Sequence, residues 1–300
     1  MCPIEPNTWS AAIFAHNEAD NIIACLDAVL GQRSADKNPI FVLINGSHDD
    51  TEKIVHDYVK VHSNVVPVKI SVADKANAWN EYVHNLSTPT STHFFIDGDT
   101  RPMSGAFASL IDTLSMRPDA RAAGALPASG RDRLGWSRRM TTFGRLAGCL
   151  YALRGSYVAE LRRDRIRLPI GLIGEDLFLS CMVKDWFDNH SLMVPSPYLV
   201  FAPDAGFWFR SLSPLRFTDW FTYGRRLVRY QIRDYQLVYL LSYLSHKEFT
   251  NIPINIDELY CNIADDLPLF QWRGRMTPFH FLAVLQIRNS VRRIRDSNPP

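Results

Sequence analysis

The amino-acid sequence predicts an α/β fold: a mainly parallel sheet flanked by helices, continued by a helical C-terminal extension. Three observations carry the prediction. Through residue 102, apolar runs of strand length alternate with segments of helical period, the arrangement of a parallel sheet covered on both faces. With 46% apolar and 21% charged residues in 300, the chain has the composition of a globular protein and enough core for one large domain with an appendage. From about Pro203 the pattern turns to aromatic-rich helices. The expected division is 1–203 for the sheet domain, in halves 1–102 and 103–203, and 204–300 for the extension.

Each element has its own signal. Residues 9–15 (WSAAIFA) form a buried apolar run, after which Asn17 is placed to cap a helix whose Ile22, Ile23, Leu26, Val29 and Leu30 share one face. Gly31 ends that helix. Residues 39–44 (PIFVLI) are a second strand, and the Ser47 and Asp50 spacing fits a capping box for a helix over 51–61. A third strand is expected at 65–70, a third helix at 76–86 and a fourth strand at 93–97 (HFFID). Beyond Arg101 come a helix near 104–116, a strand near 121–127, an Arg-rich stretch, a helix opening at Glu175 and a terminal helix over 279–295.

Composition removes several classes of protein. No apolar run approaches the roughly 18 residues that cross a bilayer, and the first ten residues, MCPIEPNTWS, lack the flank and length of a secretory signal, so a cytoplasmic location is expected. Cysteines at 2, 25, 149, 181 and 261 are odd in number and widely spaced, which argues against a disulfide framework or structural zinc. The net charge of +2 hides an asymmetry: residues 1–130 hold 9 basic and 15 acidic side chains, whereas 131–167 hold 10 arginines, no lysine and 3 acids. Guanidinium suits bidentate phosphate contacts, so a phosphate-bearing partner is expected there, with a solvated helix face as the alternative. Nucleic acid is not expected as a partner, because the first 130 residues are acidic and no nucleic-acid motif is present.

Ligands of open α/β sheets sit beyond the carboxyl ends of the strands, and the chemistry-bearing residues fall there. His16, Asn17 and Glu18 follow the first strand directly. Asp97-Gly98-Asp99 follow the fourth, and paired carboxylates around a glycine suit a hard divalent cation that shares substrate phosphates. With 23 aspartates in the chain, chance alone gives about two such triplets, so the strand before this one is what distinguishes it. Glu175 and Asp176 open a helix after a glycine-containing turn, where a carboxylate is placed to act as a general base. Lys75 precedes the third helix, and Arg225, Arg226 and Arg229 form a basic trio able to neutralise a diphosphate. Each group also has a plain structural use: a cap, a dipole-stabilised first turn, an exposed face.

Taken in order, AHNEADNI, LINGSHDDT, DKANAWNEY, FFIDGDT and GEDLFLS resemble the family 2 glycosyltransferases of the GT-A (Rossmann-like) fold, over roughly residues 9–185. The resemblance implies that Ala15, His16 and Glu18 embrace a nucleotide, with His16 where an aromatic ring stacks on the base. The usual acids at the end of the second strand are replaced by Ile44 and Asn45, and Asn45 both accepts and donates, which loosens the family's common preference for a UDP-sugar. Lys75 matches the lysine of the helix-start motif. Asp97 and Gly98 belong to the donor site, and Asp97 and Asp99 are the implied ligands of Mn2+ or Mg2+. Of Glu175 and Asp176, the second is the implied base of an inverting transfer to an acceptor hydroxyl. The Q-x-x-R-W signature of processive members is absent. Residues 223–226 (YGRR) stand in the comparable stretch, making Arg225 and Arg226 the implied phosphate contacts. The basic segments suit a lipid-linked or otherwise anionic acceptor, as in glycan or lipopolysaccharide biosynthesis, and a peripheral contact of the terminal helix with an anionic membrane. Two rivals are a nucleotidyltransferase that activates a sugar phosphate and a non-catalytic binding module on the same fold.

Overall fold

The computed structural model describes residues 8–185, 194–210, 217–244 and 251–297. In chain order the elements are β1 (Trp9–Ala15), α1 (Ile22–Leu30), β2 (Ile40–Asn45), α2 (Thr51–Tyr58), β3 (Val65–Ile70), α3 (Lys75–Glu81) and β4 (Thr92–Asp97). They continue with β5 (Thr100–Pro102), α4 (Ala106–Met116), β6 (Ala122–Pro127), α5 (Arg133–Phe143), β7 (Leu150–Arg154), α6 (Gly155–Arg163) and α7 (Glu175–Val183). The last are β8 (Leu199–Phe209), α8 (Phe217–Leu244), α9 (Ile256–Ile263) and α10 (Thr277–Ser297).

One eight-stranded sheet, in the order β3-β2-β1-β4-β7-β6-β8-β5, organises these elements. β1, β2, β3 and β4 are parallel, as their alternation with helices predicts. Antiparallel pairing enters where β7 inserts between β4 and β6, and where β5 lies against β8. The two-residue period of a strand sends alternate side chains to opposite faces. Ala12, Phe14, Phe41, Leu43 and Phe95 face a core with Trp79 of α3, Tyr157 of α6, Phe178 of α7 and the apolar stripes of α8, α9 and α10. Ala11, Ile13, Val42, Ile44 and Ile96 face the other core, with Leu26 of α1 and Phe107 and Leu110 of α4. The C-terminal helices therefore cover the same face as α3 and α7, the two helices that open on Lys75 and Glu175.

Three local expectations are corrected. Asn17 does not cap α1. It adopts a left-handed conformation with φ 56°, and Asn21 occupies the N-cap position. The Asn17 side chain instead accepts from the His48 amide at 2.8 Å while the Asn17 main-chain N–H donates to Ser47 Oγ at 3.1 Å, which ties the loop after β1 to the loop after β2. Ser47 is thus drawn out of the expected capping box, and Asp49 replaces it by accepting from the Thr51 amide and hydroxyl. The helices expected from Pro203 begin later, because β8 runs straight through Pro203 to Phe209. β8 pairs with β6 there through a register shift between Gly124 and Leu126, an irregularity that accommodates a residue without an N–H.

Candidate active site

Parallel strands deliver their carboxyl ends to one edge, and the register of β1 with β2 and β4 sets Ala15 beside Ile44 and Phe14 beside Asp97. Gly98 then passes directly over β1. Its amide donates to Phe14 O at 2.8 Å, and a Cβ at 98 would stand 2.9 Å from that oxygen and 3.1 Å from Glu18 Cγ. Only glycine permits this approach. It brings Glu18 alongside the Asp97–Asp99 turn. The loop that carries Glu18 is fixed in turn by Glu18 N donating to Thr51 Oγ1 at 2.8 Å and Ala19 N to Asp49 Oδ2 at 3.0 Å. Burial pushes the Glu18 carboxyl up to about 7, against the hydrogen bond it accepts from Asn21 at 2.7 Å.

Lys75 joins the two halves of the site. Its position is set by Asp74, the N-cap of α3, which accepts from Asn77 N at 2.6 Å and, through its second oxygen, from Gly171 N at 3.0 Å. Lys75 Nζ pairs with Asp97 and, at 2.6 Å, with Glu175. Burial alone pushes the ammonium down, but the two carboxylates carry it well above the ordinary lysine value. Burial also raises Asp97, to about 7, with Lys75 opposing. Glu175 is buried and spent on Lys75. Asp176, next to it, is held by main-chain amides: Gly148 N donates to Oδ2 and Leu177 N to Oδ1, each at 2.9 Å. Burial and the adjacent Glu175 charge push the Asp176 carboxyl up.

Sequence reasoning missed Gly148. A Cβ there would lie 2.7 Å from Lys75 Nζ, 3.3 Å from Glu175 Oε1 and 3.5 Å from Asp97 Oδ2, so the triad closes only over a glycine. No motif surrounds Gly148; it reaches the site because β7 inserts next to β4.

His16 donates from Nδ1 to the main-chain carbonyl of Asn45 at 2.7 Å and accepts at Nε2 from the Asn17 side-chain amide at 3.1 Å, which fixes an exposed ring at the mouth of the site. The Asn45 side chain is buried. In the amide orientation that satisfies its neighbours, its nitrogen donates to Ala15 O at 2.7 Å and Leu43 O at 3.2 Å. Its donor is therefore used inside the sheet, and its carbonyl oxygen turns toward donors of the protein.

The structure does not bring Arg225 and Arg226 to the acids. Both are exposed on α8, and no ion pair among the described residues joins either to Asp97, Asp99 or Glu175. The arginines of α8 that reach the site are Arg229, whose charge acts on Asp74, and Arg233, whose aliphatic stem packs against Gly174 immediately before Glu175. The Arg-rich stretch is also partly spent on structure. Arg154 donates to Ala120, Leu114 and Arg117 carbonyls and Arg162 to Ser87. On α10, Arg288 donates to Ala264 and Leu267 carbonyls, and Arg295 pairs with Asp265 at 3.3 Å.

Among the described residues no three His, Cys, Asp or Glu side chains cluster to hold a metal ion. The residues fit a divalent cation on narrower terms. Asp97 and Asp99 offer carboxylate oxygens without nitrogen or sulfur, the donor set of a hard cation that completes its shell with phosphate oxygens and water. No helix of the described residues is long and apolar enough to cross a membrane.

Comparison with known proteins agrees with this arrangement. A search of curated proteins finds no match. Among solved structures, the mannosyltransferase PcManGT from Pyrobaculum calidifontis, in complex with GDP-Man and Mn2+, superposes with a TM-score of 0.59 at 16% identity, over 99% of this chain and 79% of that one. S. aureus TarS 1–349 in complex with UDP-GlcNAc follows at a TM-score of 0.51 and 13% identity, over 97% of this chain and 92% of that one. At such identities these likenesses establish the GT-A fold. The family model described as Glycosyl transferase family 2 matches residues 10–173. That span holds β1 to β7, with the Asp97–Asp99 turn, Lys75 and Gly148, and it is more than half of the chain, which therefore belongs to glycosyl transferase family 2 and is a glycosyltransferase.

Proposed function

We propose that the enzyme transfers a sugar from a nucleoside-diphosphate sugar to an acceptor hydroxyl in a metal-dependent, inverting reaction with Asp176 as the base. The observation that carries this reading is the Lys75 bridge: one ammonium pairs with Asp97 from the first half and Glu175 from the second, which sets Asp176 beside the donor-side acids. Two solved neighbours hold GDP-Man and UDP-GlcNAc, which supports the donor class.

Asp176 takes the acceptor's proton on a carboxylate oriented by the Gly148 and Leu177 amides, and burial with the adjacent Glu175 charge raises its affinity for that proton. The acceptor oxygen forms a bond to the anomeric carbon as the bond from that carbon to the diphosphate breaks and the electron pair leaves with the diphosphate. A single displacement inverts the centre. Asp99 and Asp97 are the residues to hold Mn2+ or Mg2+, which when bound neutralises charge on the departing diphosphate. Ala15, His16, Glu18 and Asn45 frame the nucleoside. A UDP-sugar is the favoured donor. The exposed Arg292 and Arg293 of α10 support a lipid-linked acceptor handled at the cytoplasmic face of a membrane.

Thermal stabilisation by UDP, GDP, CDP, ADP and TDP, each with and without Mn2+, tests this reading, because a ligand of the folded state raises stability by mass action, by about 2.7 kcal/mol at a hundredfold its Kd. The expected result is a Mn2+-dependent shift with UDP or GDP, lost in Asp99→Ala and kept in Asp176→Asn, with transfer in Asp176→Asn down by about 10²–10⁴. Equal shifts with all five nucleotides, or undiminished transfer in Asp176→Asn, would refute it.

A further inference from the structure

We propose that the groove between α8 and α10 is the acceptor subsite and that it takes an anionic amphiphile, a hydrocarbon chain joined through phosphate to the hydroxyl-bearing head. The proposal rests on the glycosyltransferase reading above and adds the place and chemistry of the acceptor. The groove has a volume of about 830 Å³, within the range of small-molecule sites. Trp220, Phe221 and Val228 of α8 and Phe279 and Leu282 of α10 supply apolar walls. Three of these are left in solvent, Trp220 at 58%, Phe221 at 79% and Leu282 at 48% exposure, and a contiguous exposed apolar surface of this kind marks a binding site.

Charge selects the ligand's sign and direction. Arg225 and Arg229 are the charged residues among those that line the groove, and no acid is among them. They lie one turn apart, about 6 Å along the axis, the spacing at which two planar guanidinium groups bracket a phosphate or diphosphate. Arg229 also acts on Asp74, the residue that caps α3 in front of Lys75. One further turn along α8, Arg233 packs against Gly174, the N-cap of α7, the helix that opens on Glu175 and Asp176. An amphiphile with its chain between Trp220 and Leu282 and its phosphate on Arg225 and Arg229 would lie on the helix whose next turn, at Arg233, meets Gly174 just before Glu175 and Asp176. The arginines that the sequence suggests for the donor diphosphate thus serve the acceptor.

Decyl phosphate below its micellar concentration is the probe, followed by tryptophan fluorescence and compared with decanol and inorganic phosphate, with vesicles containing anionic lipid sedimented in parallel. Saturable binding at least tenfold tighter than decanol and phosphate is expected. Leu282→Glu should weaken it at least tenfold, and Arg229→Gln should abolish the preference over decanol. Phe221→Ser serves as a second wall variant, and thermal melting confirms that each variant folds. Decyl phosphate binding no tighter than decanol, binding undiminished by both wall variants, or sedimentation with vesicles in the absence of single-molecule binding would overturn the proposal, the last in favour of a bilayer contact. Nucleotide stabilisation of Leu282→Glu, measured alongside, separates the two readings. If it is retained while decyl phosphate fails to bind, the subsite is wrong and the enzyme reading stands; if decyl phosphate binds and no nucleotide does, the reverse holds.

Discussion

At the scale of single residues, the site is governed by what is packed around three charges. Lys75 stands between Asp97 and Glu175, and Gly148 is the atom-sized gap that lets all three meet. A methyl group at 148 would press on the far end of the lysine chain, which can swing aside, so the fold should survive while the triad opens. Gly148→Ala is expected to lower kcat/KM by roughly tenfold to a hundredfold, the scale of loss that follows a displacement of about 1 Å in a catalytic group, with Tm nearly unchanged. Steady-state kinetics beside a thermal melt check this, and full activity in the variant would remove Gly148 from the site. The same chemistry explains why Glu175 and Asp176, adjacent in sequence, differ: Glu175 is buried on Lys75, whereas Asp176 is oriented by amides and raised in proton affinity.

At the scale of elements, α8 does more than cover one face of the sheet. Gln236, fully buried on α8, accepts from Ile173 N at 2.7 Å and donates to Gly171 O at 3.0 Å and to Tyr260 of α9 at 2.6 Å. The loop it grips runs directly into Glu175, and its other side is held by Asp74 through Gly171 N. Replacing Gln236 by Leu strands these main-chain groups, and a buried polar group without its partner costs about 1–3 kcal/mol. We expect Gln236→Leu to shift the urea midpoint by a corresponding amount at constant m and to lower kcat; a variant with unchanged kcat would show that α8 supports the fold and leaves the catalytic loop to itself.

For the whole molecule, the buried histidines and the raised carboxyls pull stability in opposite directions as the pH falls: Glu18 and Asp97 take up protons first in the folded chain, and the histidines resist them. His93 of β4 lies between Tyr82 and Thr90, and burial pushes its ring down to about 3. Above pH 6.5 the ring is neutral in folded and unfolded chains alike. As the pH falls below that value, the unfolded chain takes up a proton that the folded one refuses, so stability is lost at up to about 1.4 kcal/mol per pH unit. Burial lowers His84 and His280 as well, and both add to the slope. His93→Gln should therefore make the slope of the unfolding free energy against pH less positive between pH 6.5 and 5 and leave the contributions of the other groups in place. An unaltered slope would mean that His93 takes up its proton in the folded state.

The sequence by itself determined what is local. The first three strands and the helices between them follow from apolar period, and Asp97-Gly98-Asp99, Lys75 and Glu175-Asp176 from residues that sit at strand ends or helix starts. Such features depend on neighbours a few positions away, and periodicity and turn chemistry report on those. Tertiary structure alone decided what depends on insertion and docking. The antiparallel β7 brought Gly148 beneath Lys75, loop-to-loop hydrogen bonds took Asn17 and Ser47 out of their expected caps, and the docking of α8 packed Arg233 against Gly174 and set the charge of Arg229 near Asp74. Those partners are 30 to 155 residues distant in sequence, and no local signal carries a contact whose energy comes from surfaces that meet only after the sheet has formed.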